Sequence, residues 1–187
     1  MARWPDVPEV HGWLRLDARG RFRLRVPESD PPRFETIANP ALLGFIARNY
    51  AADESGRWYF QNGPQRVFVE LDVTPWALRL GPYGRVTTQT GRDVAIEAVL
   101  RTDDGMTVLV TDAGPGLLDD RDLPAFVEAL VDAAGRPPDD ARLEAWLTDP
   151  DAHPLLFRSA GREFPVETVA KADLPSRFGY VRRPDAI

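Results

Sequence analysis

Three stretches of this chain carry side chains suited to binding or catalysis. Asp149-Pro150-Asp151-Ala152-His153 sets two carboxylates and an imidazole at alternate positions. Oxygen and nitrogen donors of this kind suit a divalent cation. A polar loop leaving a helix explains the same residues, because Asp is a common turn residue and Pro150 and Pro154 enforce a loop. In the second stretch, Arg15, Arg21, Arg23 and Arg25 alternate along two short segments beside Trp13. Guanidinium forks grip phosphates and an indole stacks on bases. A solvated outer face, or one docked on an acidic region, also accounts for them, and the overall charge favours that alternative. The third stretch is chemically the most mixed: Arg48-Asn49-Tyr50, Asp53-Glu54 and Arg57-Trp58-Tyr59-Phe60-Gln61-Asn62. Aromatic, cationic, acidic and amide groups together are what pockets are lined with. The structural alternative is a helix–strand corner in which Arg48 pairs with Asp53 or Glu54.

Composition removes other chemistries. The chain has 187 residues, no Cys and two His, so thiol catalysis, disulfides and multi-histidine centres lack material. None of the four Ser lies in a Gly-x-Ser-x-Gly elbow, and no glycine loop leads into Lys-Ser/Thr. No catalytic residue, metal ligand or cofactor is therefore assigned. The net charge is −6, which disfavours a phosphate backbone and argues against nucleic acid. Charge is nonetheless segregated, with basic residues gathered in 13–26 and acids in 101–151. No apolar run is long enough for a membrane span, and Met1–Asp6 lack a signal peptide's apolar stretch. A cytoplasmic location is the expectation.

The elements that must position these groups read mainly as hairpins. Residues 13–17 and 21–26 alternate around Ala18-Arg19-Gly20, which places Leu14, Leu16, Phe22, Leu24 and Val26 on the core side. Asn39 and Pro40 open a helix over 40–50. Strands 57–61 and 65–71 follow, with Trp58 and Phe60 on one face and Tyr59 and Gln61 on the other. Pro64 lacks the N–H that a two-residue Asn62-Gly63 turn needs, so a longer loop is expected there. An extended segment covers 76–80, and the cluster Gly81–Gly84 marks the border between two halves. Residues 94–101 and 106–112 form another hairpin, after which Ala113-Gly114-Pro115-Gly116 breaks the chain. The apolar stripe Leu123, Phe126, Val127, Leu130 and Val131 predicts a helix over 120–134, exiting at Gly135. A shorter helix over 139–148, strands at 155–158 and 164–169 and a tail from 175 or 176 to 187 complete the reading. The expected fold is α+β, with antiparallel sheets built from hairpins and a few covering helices. It divides into packed subdomains at 10–82 and 83–175.

The order and spacing of the first half resemble a bacterial family, domain of unknown function 1285. The resemblance rests on the hairpin Trp13–Val26, a short helix, Asp53-Glu54-Ser55-Gly56-Arg57-Trp58-Tyr59, the turn at Pro64, Val67-Phe68-Val69-Glu70-Leu71 and Thr74-Pro75-Trp76. It implies a cytoplasmic α+β protein in two subdomains, without an established activity. The functional expectation is a non-enzymatic module binding a protein or small molecule between its halves, through Arg48, Asp53, Trp58, Tyr59 and Arg66. The alternatives are a carboxylate- or metal-dependent hydrolase at Asp149, Asp151 and His153, and a nucleic-acid binder through the arginine hairpin. Hairpin edges could also pair two copies into a homodimer.

Overall fold

A computed structural model describes residues 9–185; Met1–Pro8, on which the signal-peptide reading falls, and the last two residues lie outside it. The first sheet is built from β1 (Glu9–Leu16), β2 (Phe22–Arg25), β3 (Phe34–Thr36), β4 (Tyr50–Ala52), β5 (Trp58–Asn62) and β6 (Gln65–Leu71), in the order β3-β2-β1-β6-β5-β4. Helix α1 (Pro40–Asn49) precedes β4, capped by the Asn39 side chain, which accepts from the Ala41 and Leu42 N–H groups. The second sheet begins with β7 (Trp76–Leu80), β8 (Val86–Thr88), β9 (Asp93–Val94), β10 (Ile96–Thr102), β11 (Thr107–Thr111) and β12 (Gly114–Leu118). After α2 (Leu123–Glu128), β13 (Leu130–Val131) and α3 (Asp140–Thr148), it ends with β14 (Leu156–Ser159) and β15 (Arg162–Val169). Its order is β13-β14-β15-β10-β11-β12-β7-β8-β9. Helix α4 (Leu174–Phe178) leads into the C-terminal segment.

The class is α+β, as the hairpins imply. The sheets are mixed, however: β1–β6, β12–β7 and β10–β15 pair in parallel, each joining strands distant in sequence. Local patterning reveals hairpins, whereas these pairings are set by how finished hairpins assemble. The strands of the first sheet end at Leu71, and the second sheet starts at Trp76, ahead of the Gly81–Gly84 cluster.

Two apolar layers hold the molecule. One lies between the sheets and contains Leu14, Leu16, Val69 and Leu71 of the first, with Leu100, Val108 and Leu117 of the second. The other lies beneath the helices and contains Val99, Leu109, Leu118, Phe126, Trp146 and Phe157. Adjacent residues such as Val99 and Leu100 thus serve opposite layers. Strands buried on both faces read as continuous apolar runs for this reason.

Five turns share one design. At 17–21, 53–57, 88–92, 102–106 and 132–136, the first residue's N–H donates to the fifth carbonyl, and a glycine at position four donates to the first carbonyl. Those glycines, Gly20, Gly56, Gly91, Gly105 and Gly135, all have positive φ. This is a type I turn closed by a glycine bulge. In the three Asp-x-x-Gly-Arg copies, the carboxylate also accepts backbone N–H groups from positions three and five and the Arg Nε.

Several expectations are corrected. The 120–134 helix is only six residues of α2 after a tight 3-10 turn; Leu130 and Val131 pair instead with Phe157 and Leu156. Gly135 belongs to a turn rather than a helix exit. Gly114-Pro115-Gly116 does not break the chain but opens β12, where Leu78 occupies the space a Cβ on Gly116 would need. Asn62 pairs with Gln65, so the connection is the two residues Gly63-Pro64, one step along from the turn considered. Gly63 supplies the positive φ at the first central position, and Pro64 is not asked to donate. Leu24, expected inside, is exposed, and Val26 is half-buried.

The segment 176–185 is held down rather than hanging as a tail. Tyr180 is buried, and its hydroxyl donates to the Val73 carbonyl at 2.9 Å. The Val181 N–H donates to Gly56, and the Leu71 N–H donates to Arg182. His11 Nδ1 lies 3.0 Å from the Pro184 carbonyl. A strap leaving the second sheet therefore crosses back over β1, β6 and the 53–57 turn.

Candidate functional site

The period of two along β5 sends Tyr59 to the outer face of the first sheet and Trp58 and Phe60 inward. Tyr59 faces Phe68 across the hairpin, and Arg66 pairs with Gln61 one step further on. The Arg66 guanidinium stacks over Tyr59, 4.8 Å from its centroid. Arg57 covers the buried Phe68 ring at 4.4 Å, and His11 stacks on the same ring at 4.5 Å. Beside them, the 53–57 turn supplies Asp53, Glu54 and Ser55. Asp53, Glu54, Ser55, Arg57, Tyr59 and Arg66 line a polar hollow of about 380 Å³.

The two arginines of this hollow differ in commitment. Arg57 Nε donates to Asp53 Oδ2 at 2.8 Å, and its other nitrogens reach Glu9 at 3.4 Å. Burial alone would raise the Asp53 carboxyl; the Arg57 N–H, its guanidinium and the Ser55 N–H outweigh that and hold it below the usual carboxylate range. Arg66 instead has a buried Nε without an acceptor among the described residues. Its one close partner there is the Tyr59 ring.

Of the five residues expected to meet in a cleft, Asp53, Tyr59 and Arg66 come together on this outer face. Trp58 lies on the inner face, 4.8 Å from Tyr50 and 5.0 Å from Trp76. It lines a separate crevice of about 230 Å³ between the sheets, with Pro75, Pro115, Phe178 and Tyr180. Arg48, in the last turn of α1, lines neither hollow. The corner pairing considered for Arg48 is made by Arg57 instead. Phe68, His11 and the strap escaped sequence reasoning, and Arg57, named in the mixed stretch, was not assigned its pairing with Asp53. The one available signal was Asp-x-x-Gly-Arg, spelled at 17–21, 53–57 and 132–136.

The other two stretches are taken up by local partners. Asp149 accepts from the Ala152 N–H, Asp151 from the Thr168 hydroxyl, and His153 Nδ1 faces Arg142 at 3.2 Å. These three groups point to three different neighbours, and among the described residues no cluster of three or more such side chains could hold a metal. In the arginine hairpin, Arg15 pairs with Glu70 at 2.8 Å and Arg21 with Asp17 at 2.7 Å. Arg23 donates to the Phe34 carbonyl, while Arg25 lies over Trp13. Docking on the acidic half is made by the turn residue Arg19, which meets Asp120 at 2.6 Å. No helix among the described residues is long and apolar enough to cross a membrane.

A DUF1285 family protein from Silicibacter pomeroyi DSS-3 shares this fold, with a TM-score of 0.54 at 15% identity over 88% of this chain and 85% of its own. A second DUF1285 family protein, from Shewanella baltica OS155, matches with a TM-score of 0.42 at 17% identity over 61% of this chain and 89% of its own. The likeness in fold to the first of these extends well beyond the N-terminal half in which the sequence pattern was seen. No curated protein matches the chain. The family model described as "Protein of unknown function (DUF2946)" matches residues 1–185, and the chain belongs to that family.

Proposed function

We propose that this is a non-enzymatic binding module of the bacterial cytoplasm that accepts a carboxylate at Arg66. The carboxylate belongs to a small molecule or to an acidic side chain of a partner protein. The observation that carries this reading is the Arg66 guanidinium, stacked on Tyr59 in a hollow whose other arginine is already paired. Stacking fixes the guanidinium plane and leaves in-plane N–H groups for an acceptor. Because Nε is already withdrawn from water, part of the desolvation cost is met before a ligand arrives. Glu54 on the rim opposes polyanions, so one carboxylate suits the hollow better than a phosphate chain.

The test is calorimetric titration with propionate and, separately, with a peptide carrying a single glutamate. Saturable binding of either, weakened about tenfold or more by Arg66→Gln in line with loss of a charged hydrogen bond, supports the site. Arg48→Ala should leave it unchanged. Which titrant binds distinguishes small molecule from protein. Binding of neither, or equal binding to wild type and Arg66→Gln, overturns the proposal.

A further inference from the structure

A second hollow, of about 240 Å³, lies where the two sheets meet at their other end, and it owes nothing to Arg66. One lip is the β1–β2 turn with Ala18 and Arg19; the other is the β10–β11 turn with Met106 and Thr107. Leu117 and Leu118 at the end of β12 and Leu123 of α2 form an apolar floor. We infer that this cleft binds a small, uncharged, largely apolar molecule of one or two rings carrying at most one hydrogen-bonding group.

Both lips are braced, so the hollow does not simply close. The Asp17 carboxylate ties the Arg19 and Arg21 N–H groups at 3.0 and 2.9 Å. Behind that turn, a Cβ on Gly20 would meet Gln89 and Ala77 at 2.8 and 2.9 Å, so the turn is seated on the second sheet. On the opposite lip, the Thr102 hydroxyl accepts the Met106 N–H at 2.8 Å, and Lys171 holds Asp104 at 2.7 Å. A dry aliphatic cavity of about 150 Å³ already admits benzene.

The charges on the rim decide the ligand class. Arg19 and Asp120 neutralise each other at 2.6 Å, and Asp104 is taken by Lys171 and Thr102. An ionic ligand would find no free partner and would be desolvated without compensation. Thr107, 5% exposed, is the one uncharged polar side chain among the described lining residues. It supplies the single polar contact. Met106 adds an adaptable, polarisable wall suited to an aromatic ring.

The chain contains two methionines, Met1 and Met106, so methyl-13C methionine labelling places one reporter in the cleft. Titration of the full chain with indole should shift the Met106 methyl signal saturably. Ala18→Leu, which fills the hollow, should abolish the shift. Benzoate should bind about tenfold more weakly or worse, because its charge goes unpaired. Thr107→Val should weaken indole about fivefold and leave benzene unchanged, as loss of one neutral hydrogen bond requires. An absent or unsaturable Met106 shift overturns the inference whether or not Ala18→Leu folds. Benzoate binding as tightly as indole overturns the ligand class.

Discussion

The turns at 53–57 and 132–136 are the same device in two settings. Each spells Asp-x-x-Gly-Arg, with a carboxylate receiving two backbone N–H groups and the Arg Nε. At 132–136 the arginine is 77% exposed, and a Cβ on Gly135 would meet the half-exposed Arg158 guanidinium at 2.8 Å and Glu163 at 3.8 Å, side-chain ends that can give way. At 53–57 the arginine is 13% exposed and lies over Phe68, and a Cβ on Gly56 would collide with the Gly179 carbonyl of the strap. Local sequence thus makes the turn, while its surroundings determine whether it is a mere connection or a structural keystone. The turn at 17–21 is intermediate, with a buried Asp17 and a half-exposed Arg21.

The pair of turns yields graded tests. The largest contrast is expected from glycine replacement. Gly56→Ala combines a positive-φ penalty with a backbone collision, about 3 kcal/mol in all, and should expel the strap. Gly135→Ala should lose only the φ penalty, about 1 kcal/mol. Urea unfolding measures both, and equal losses would break the comparison. Next comes Asp53→Ala, which strands the enclosed Arg57 and should destabilise the chain by about 2 kcal/mol. Asp132→Ala should shift the urea midpoint less, since Arg136 returns to water.

Smaller effects follow from protonation. Hydrogen bonding to Arg57 and its N–H lowers the Asp53 carboxyl below its usual value of 3.8 despite burial. A carboxyl lowered by folding stabilises above that unfolded value and ceases to do so as the pH drops toward its folded value. Melting temperature should therefore fall below about pH 4, and the fall should be shallower in Asp53→Asn. At the other extreme, burial pushes the Tyr180 hydroxyl up to about 12 from 10.0, against the opposing pull of Arg182. Here the folded value is raised, so the contribution is intact below pH 10 and lost between 10 and 12. Absorbance at ~295 nm should show Tyr180 ionising together with strap release, which is the least of these effects at neutral pH.

What the sequence made legible was local. The hairpins β1–β2 and β10–β11 follow from alternation and turn residues, β14 and β15 are expected as short strands, and α1 and α3 follow from caps and an apolar face. The juxtaposition of Tyr59 and Arg66 follows from alternation plus a hairpin. Leu130 and Val131 misled because spacing fits a helix, whereas an available partner in β14 makes them a strand. Gly116 misled because glycine reads as a break until the Leu78 side chain that requires it is in place. The parallel pairings and the strap are invisible for the same reason: their partners are separated by tens of residues or more, with no local pattern linking them.

The strap also bears on how the chain is made. Ribosomes emit residues in order, so β6 is available long before Tyr180, Val181 and Arg182, whose contacts with Val73, Gly56 and Leu71 complete the first sheet's surroundings. Until they arrive, the 53–57 turn and the end of β6 at Leu71 lack their last neighbours. A sheet synthesised well before residue 180 is thus finished only after it, and a nascent chain stalled before that residue would display the unfinished surface to proteases and chaperones.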